Sequence, residues 1–144
     1  MTILRSLSIG SLLVSLIIAT GCGSSRQLQS VTLSPPAADA KNFPNGQVPF
    51  VANGVFSGSS TPVPLTSKDI TWCYGGPANL ANPTAGICAG NIAQLATVDQ
   101  NGVAQCTAQF QGSVIILAGT PTMTMMPDAG PQLRVFGSAT LTCP

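Results

Sequence analysis

The sequence contains no histidine and no glutamate, and these two absences limit the chemistry that the chain can perform. Catalysis by a side-chain nucleophile needs a base beside it, and histidine is the commonest one. The remaining acids are four aspartates scattered along the chain. Asp69 stands beside Lys68 and Asp99 opens an Asp-Gln-Asn-Gly turn, so both have turn roles that need no catalysis. The sequence therefore predicts a protein that is not an enzyme and that uses no cofactor.

Charged residues are also scarce, at 6% of the chain, whereas about 25% is ordinary for a soluble protein. Removing residues 1–21 removes Arg5 from the five basic residues, so that four remain against four aspartates and the formal net charge is zero. Binding to nucleic acid needs clustered lysine and arginine. Electrostatic docking on anionic lipid needs the same clusters. The sequence predicts neither kind of partner.

No apolar run in the N-terminal region is long enough to span a bilayer. The run Ile9–Ala19 has eleven residues, whereas a spanning helix needs about 20. One basic residue, Arg5, precedes this run, and the small residues Thr20 and Gly21 follow it. The order of charge, short apolar run and small residues is typical of an export signal.

The residues Ile18-Ala19-Thr20-Gly21-Cys22 resemble the lipobox of bacterial lipoproteins. The resemblance implies that residues 1–21 are a signal peptide, that Cys22 is acylated, and that residues 22–29 form a lipidated tether. Two or more acyl chains make such an anchor stable. Because Gly23 rather than aspartate follows the cysteine, the resemblance favours the outer membrane if the organism has one. An ordinary cleaved signal and a retained anchor helix are the alternatives.

Four further cysteines follow in the rest of the chain: Cys73, Cys88, Cys106 and Cys143. An exported chain meets an oxidising compartment, where an even set of cysteines usually pairs, and four allow three pairings. Zinc is the competing interpretation, but the spacings include no Cys-x2-Cys and histidine is absent. We therefore expect two disulfides and no metal at these four cysteines.

A sustained helical period is missing too, and short alternating stretches ended by Gly, Pro, Asn or Asp recur instead. Residues 113–119 are apolar on both faces and predict a central strand. The Asn101-Gly102 pair predicts a tight turn. Further strands are predicted near 30–34, 47–57, 69–74, 94–98 and 131–143, with Phe50, Ala52, Gly54 and Phe56 on one face. Six or seven strands at this spacing predict an all-β sandwich.

Several of these segments together resemble the bacterial Ig-like domain of group 2. They are Ser30-Val31-Thr32-Leu33-Ser34-Pro35, Gly46-Gln47 with Phe50 and Ala52, Ile70-Thr71-Trp72, Ala96-Thr97-Val98-Asp99 with Asn101-Gly102-Val103, and Gly112 with Val114 and Ile116. The resemblance covers about residues 29–142. It implies an immunoglobulin-like β-sandwich of about seven strands over residues 30–144. Members of this family often occur in surface and adhesion proteins, which implies a role in interaction.

Two connections are longer than this family usually has, one between Trp72 and Ala96 and the other at 120–131. Loops of this length in a compact domain are usually functional or mobile. We therefore predict a surface for a glycan or protein ligand within residues 73–92. Its candidate residues are Tyr74, Gly75, Gly76 and Asn79, and a loop-packing role for Tyr74 is the alternative. Trp72 is predicted to belong to the core.

The strand pattern also bears on which cysteines pair. Cys73 follows Trp72, so in a pleated strand it points away from the core face, and Cys88 is its natural partner because that bond closes the inserted loop. Cys106 and Cys143 are in step with apolar residues at the margin of the core. We prefer Cys73–Cys88 with Cys106–Cys143, and the main rival is Cys73–Cys106 with Cys88–Cys143.

A methionine cluster formed by Met123, Met125 and Met126 raises the question of copper, because thioether sulfur suits Cu(I). The alternative is that these side chains are adaptable apolar filler at the end of the sandwich. The sequence as a whole predicts an exported, lipid-anchored cell-envelope protein with one non-catalytic Ig-like domain that acts as a surface interaction or adhesion module. A purely structural spacer and a Cu(I)-binding periplasmic protein are the alternatives.

Overall fold

The computed structural model describes residues 26–79, 85–90, 95–125 and 130–144. Apart from two single 3-10 turns, Ala40–Asn42 and Pro44–Gly46, the regular elements in these ranges are all strands. The strands are β1 (Leu28–Ser34), β2 (Ala37–Asp39), β3 (Gln47–Pro49), β4 (Val51–Phe56), β5 (Val63–Pro64), β6 (Thr71–Pro77), β7 (Ala96–Val98), β8 (Val103–Cys106), β9 (Gly112–Met125) and β10 (Pro131–Cys143). The predicted all-β class is confirmed. Within the same ranges no helix is long and apolar enough to cross a membrane.

The strands form two packed layers. One layer is a sheet with the order β2-β10-β9-β6, antiparallel except that β2 runs parallel to β10. The other layer is built on β3 and β4, which only Phe50 separates: β3 pairs with β8 and through it with β7, and β4 pairs with β1 and β5. The pairings thus give three hydrogen-bonded sheets, and the two three-stranded ones together form the second layer of an immunoglobulin-like sandwich.

The chain changes layer between β1 and β2, at Pro35 and Pro36. Proline has no N–H to donate to a strand ladder, so the pair ends β1 as the sequence predicts. β1 begins at Leu28, which is two residues before the predicted start of the domain. Residues 28 and 29, assigned from the sequence to the tether, are therefore part of the sandwich.

The alternation predicted for residues 50–56 is confirmed by burial at three of its four core-facing positions, whereas Phe56 is only half-buried. Phe50, Ala52 and Gly54 are buried, whereas Val51 is 49% exposed. The face that they share closes on the opposite sheet. The resulting main core consists of buried residues from both layers, among them Val31, Leu33, Val48, Phe50, Ala52, Val114, Ile116, Ala139 and Leu141.

The central position of residues 113–119 is also confirmed, because β9 pairs with β10 on one side and with β6 on the other. The connection predicted for 120–131 is wrong over much of its length. β9 continues to Met125 and β10 begins at Pro131, and the register between them is irregular beside Pro121. A proline is tolerated at such an irregularity because no regular ladder bond is lost there. Residues 126–129, which include Met126, lie outside the described residues.

The turn between β7 and β8 falls where the Asn-Gly pair predicts it. The Gly102 N–H donates to the Asp99 carbonyl at 3.1 Å, and the Asp99 N–H donates to the Val103 carbonyl at 3.0 Å. Of the Asn-Gly pair only Gly102 has a positive φ, of 80°. This geometry is that of a turn closed by a left-handed glycine, for which glycine carries no steric cost.

Candidate functional site

Both disulfides of the structure use cysteines in the pairing that the strand pattern favours. Cys73 on β6 is joined to Cys88, 15 residues along the chain, and Cys106 at the end of β8 is joined to Cys143 at the end of β10. The first bond closes a local loop on the outside of one sheet. The second bond links the last strands of the two layers, so it holds the sandwich together at one end.

The proposed binding residues beside Cys73 do not lie in a loop, because β6 continues to Pro77. Tyr74 is half-buried and packs against the main core. It therefore has a packing role, as the alternative interpretation predicts, but from a strand and not from a loop. Gly75 lies under other chain segments, since a Cβ there would be 2.9 Å from the Leu117 side chain. Gly76 is buried. Among the four candidates only Asn79 is exposed, and the ligand surface within residues 73–92 stays a prediction.

The inserted connection contains a segment, residues 85–90, that folds back over the outside of the β10-β9-β6 sheet. The Leu133 N–H donates to the Gly86 carbonyl at 2.7 Å, and the Ala89 N–H donates to the Tyr74 carbonyl at 2.7 Å. Ile87 forms an isolated antiparallel bridge with Gln132. We call residues 85–90 the cover segment. Residues 80–84 and 91–94 of the same connection lie outside the described residues.

A second apolar cluster lies beneath the cover segment. It comprises the buried residues Cys88, Ile115, Leu117 and Leu133, with Cys73, Ala78 and Phe136 packed against them. Because successive residues of a strand point to opposite faces, Ile115 and Leu117 leave the main core and would face water without the cover segment. The described part of the inserted connection is thus committed to packing, and its disulfide fixes it there.

A cleft with a different character lies on the other side of β6, around Trp72. Two grooves, of about 340 and 240 Å³, are both lined by Trp72, Ser67 and Gln100. We call this pair of grooves the Trp72 cleft. Trp72 is half-buried and packs against the main core, so the sequence placed it correctly in part. The sequence did not reveal that the ring also borders a cleft.

The Trp72 ring is held in place by the β7–β8 turn. A Cβ at residue 102 would lie 2.7 Å from Cζ2 of the ring and 2.5 Å from the Phe50 carbonyl oxygen, so only glycine fits there. The same turn carries Gln100 and Asn101 to the rim of the cleft. The glycine that closes the turn thereby also sets the distance between the indole and these two amide side chains.

The described aspartates serve local turns. The Asp99 Oδ1 accepts the N–H groups of Val103 and Asn101 at 2.8 Å each, and these bonds, the Val103 one first, hold the pKa of Asp99 below its ordinary value. The Asp69 Oδ2 accepts from the N–H and hydroxyl of Thr66, at 2.9 and 2.8 Å, which lowers the pKa of that carboxyl as well. Both carboxylates have the turn roles predicted for them.

Asp39 has the same kind of role at the end of β2. Its Oδ2 lies 2.9 Å from Lys41 Nζ, and its Oδ1 accepts the Lys41 N–H at 3.1 Å. The side-chain bond from Lys41 is the main cause that lowers the pKa of Asp39. The hydrogen-bond partners of the aspartate carboxylates at positions 39, 69 and 99 all lie within four residues of them in the chain.

A further groove of about 370 Å³ lies at the end of the sandwich where β8 and β10 finish. Its walls include Phe43, Phe110, Gln105 and Pro144. β1 starts at the opposite end, because β1 and β10 run in the same direction and Gly137 lies beside Val31. The first residues of β1 and this groove are therefore at opposite ends of the domain.

Among the described residues no cluster of three or more His, Cys, Asp or Glu side chains could hold a metal ion. That search does not bear on the Cu(I) hypothesis, which rests on methionine. Met123 and Met125 belong to β9, and Met126 lies outside the described residues. The copper hypothesis stays a prediction.

Comparisons with known proteins add no assignment. No protein-family model, no curated protein and no solved structure matches this chain. The resemblance to group 2 bacterial Ig-like domains and the lipobox resemblance therefore rest on the residues already named. What the chain does has to be inferred from its own chemistry.

Proposed function

We propose that the chain is an exported, lipid-anchored protein of the bacterial cell envelope, and that its Ig-like domain is a non-catalytic interaction module. The observation that carries the proposal concerns the cysteines. The chain has five, and the two disulfides use four of them. The fifth is Cys22, which stands at the cysteine position of the lipobox. The one cysteine outside both disulfides is therefore the cysteine that acylation requires.

The disulfides support export in their own right. Such bonds form and persist in oxidising compartments and are rare in the cytosol. Each disulfide has a structural role in this fold. One fixes the cover segment and the other joins the two layers. A chain that needs both bonds for its packing is suited to a compartment outside the cytoplasm.

The length of the tether determines where such a module can act. Since β1 begins at Leu28, only residues 22–27 separate the acylated cysteine from the sandwich. Six extended residues span at most about 20 Å, so the domain would stay close to the bilayer. The sandwich adds at most roughly 45 Å beyond that, which is the length of the 14-residue strand β9 at about 3.3 Å per residue. Partners would therefore be other components of the envelope near the membrane.

Interaction explains the surface better than catalysis does. The described aspartates are occupied by turns, and the chain has neither histidine nor glutamate to act as a base. What the surface offers instead is clefts lined by aromatic rings and mostly neutral polar side chains, with one charged residue in each, Lys41 or Asp99. Such sites bind ligands by shape and hydrogen bonding.

The anchor is tested by intact-mass analysis of the protein extracted from membranes. The expected species lacks residues 1–21, carries acyl chains on Cys22 and has no reactive thiol. The matched variant Cys22→Ala should lose the acyl mass and leave the membrane fraction while it keeps both disulfides. A full-length, unacylated chain with five reactive thiols would overturn the proposal.

The interaction role is tested against the spacer alternative by photo-crosslinking in the envelope. A photoreactive amino acid replaces the exposed Gln100 at the Trp72 cleft or, as a matched control, the exposed Gln29 on β1. An interaction module should give discrete crosslinked products at position 100 and few at position 29. Absence of products at both positions would favour the spacer.

A further inference from the structure

We propose that the Trp72 cleft is a binding site for a neutral oligosaccharide, a proposal that rests on the interaction function and names its ligand class. The two grooves share Trp72, Ser67 and Gln100, so they adjoin at the indole. Two adjoining grooves with an aromatic ring common to both are suited to a chain of sugar units. The ring would take the apolar face of one unit, and the flanking grooves would take its neighbours.

The indole meets the first requirement for a sugar, which is a flat apolar surface with fixed orientation. Sugar rings have faces of C–H groups that pack on aromatic rings, and tryptophan offers the largest ring together with an N–H donor. The ring packs against Gly102 on one side and the main core below. Because packing fixes it before any ligand arrives, little side-chain entropy is lost on binding. Val51, 49% exposed, extends the apolar surface along the second groove.

The rim meets the second requirement, which is a set of neutral donors and acceptors for hydroxyl groups. Ser67, Thr71, Gln100 and Asn101 line the cleft and provide two hydroxyls and two amides. Hydroxyls and amides can each donate and accept, as the hydroxyls of a sugar also do. Three of the four are exposed and Thr71 is half-buried. The rim is therefore accessible without any movement of the fold.

The charge of the cleft selects among sugars. No lysine or arginine from the described part of the chain lines either groove, and the one charged lining residue is Asp99. Its Oδ1 is already occupied by two backbone N–H groups. Among the lining residues, an anionic ligand such as a polyuronate or a phosphorylated glycan would meet one negative charge and no positive charge, and the exposed Lys68 beside Ser67 is followed at once by Asp69. The cleft therefore favours neutral sugars.

The chain carries its own reporter for this site, because Trp72 is the only tryptophan. The acylated protein, which lacks residues 1–21, is titrated in detergent with neutral β-linked and α-linked glucose and N-acetylglucosamine oligosaccharides. Tryptophan-selective fluorescence follows the titration. A saturable change is expected with at least one neutral series, and none with oligogalacturonate, which is the charged control. Calorimetry measures the same affinities without using fluorescence.

Variants test which residues carry binding. Gln100→Ala removes one hydrogen-bonding side chain from an exposed turn and should weaken binding roughly three- to tenfold. Gln29→Ala, the matched exposed control on β1, should leave the affinity unchanged. Trp72→Phe should reduce the affinity measured by calorimetry at least tenfold, and its denaturant unfolding curve shows whether the fold persists. If Trp72→Phe does not fold, Gln100→Ala alone decides.

The outcomes separate this proposal from the one on which it rests. No saturable change with any neutral oligosaccharide, or an equal response to oligogalacturonate, overturns the sugar assignment. If crosslinks at position 100 persist in that case, the interaction function stands and the ligand is of another class. Loss of both the sugar response and the crosslinks overturns the two proposals together. Equal affinity of Gln100→Ala and the wild type would move the site away from this cleft.

Discussion

The two faces of β9 are equally apolar but are covered in different ways. On the inner face, Val114, Ile116 and Ala118 meet the opposite sheet of the sandwich. On the outer face, Ile115 and Leu117 meet the cover segment. The inner covering is a layer of paired strands, whereas the outer one is a short stretch held by a few backbone hydrogen bonds and one disulfide. The two faces of β9 are thus buried to a similar extent, but the sheet that covers the inner face is held by more interactions than the cover segment on the outer face.

This difference shows why the inserted connection resembles a binding loop in the sequence. It has no alternation and contains glycine and proline, which are also features of surface loops. In the structure, its described part contributes Cys88 to a second core. The Trp72 cleft lies on the other side of β6, so this cleft and the described part of the insertion are separate parts of the molecule.

The largest expected effect on stability comes from truncating one buried side chain on each face of β9. Ile116→Ala should destabilise the domain by about 4 kcal/mol, because the paired sheets around it cannot collapse into the cavity. Leu117→Ala should cost less, about 3 kcal/mol, because the cover segment can move into the gap. Urea unfolding followed by Trp72 fluorescence measures both. The reverse order would mean that the cover segment is as rigid as the opposite sheet.

The next effect removes the outer covering while the inner one stays. Cys73→Ala combined with Cys88→Ala should cost about 3 kcal/mol, the chain-entropy value for a loop of this length. A dye that binds apolar surface should bind to the exposed Ile115 and Leu117, with the sandwich still folded by circular dichroism. Cys22→Ala is the control, since it removes a cysteine outside both disulfides. Cooperative loss of the whole fold would show that the two faces are not independent.

A smaller effect tests how closely the cover segment fits. Gly86 has a φ of 59°, and a Cβ there would overlap the Phe136 ring. Gly86→Ala should therefore cost about 2 kcal/mol, from backbone strain and from displacement of the ring. Gly58→Ala is matched, because Gly58 has a φ of 78° but open space around it, and strain alone predicts about 1 kcal/mol. Equal losses of stability would mean that the segment does not pack on Phe136.

The smallest effect is a loss of stability at acid pH. It should weaken the β7–β8 turn of the sandwich and leave the cover segment unchanged. The pKa of Asp99 is lowered in the fold by hydrogen bonds from Val103 and Asn101. A carboxyl with a depressed pKa stabilises the fold above its unfolded pKa, which is about 3.9 for aspartate. That contribution is lost as the pH falls through the lower, folded value.

Hydrogen exchange measures this acid effect residue by residue. Protection of the Val103 amide, corrected for intrinsic rates, should fall at acid pH in the wild type. In Asp99→Asn it should depend less on pH. The Leu133 amide, which donates to Gly86 beside no described carboxylate, should keep its protection. Parallel loss at Leu133 would point to global acid unfolding and against a local effect of Asp99.

Much of the fold follows from the alternation of apolar residues along the strands and from the residues that form turns. Alternation at Phe50 and Ala52, the doubly apolar run at 113–119 and the glycine of the β7–β8 turn each act locally, so the sequence predicts them. The extension of β9 to Met125 was missed because Pro121 is a strand breaker, and only the irregular pairing with β10 accommodates it. The cover segment was missed because its hydrogen bonds join residues far apart in the chain.

The site was harder to predict for the same reason. The Trp72 cleft combines Ser67, Trp72 and Gln100, which come from two separate connections and one strand. No spacing along the chain marks such a set. The sequence predicts that Trp72 belongs to the core, and the ring does pack there. Its exposed edge depends on the β7–β8 turn beside it, which tertiary packing alone places.

The positions of the two cysteine pairs imply an order of events while the polypeptide is delivered from its N-terminus. Cys88 emerges soon after Cys73, so the first bond can form while the later strands are still missing. Cys143 lies on the last strand, so the second bond must await delivery of the entire sandwich. A thiol oxidase acting on this chain would thus form the Cys73–Cys88 bond first. At that point β9, whose Ile115 and Leu117 the cover segment later buries, would not yet have been delivered.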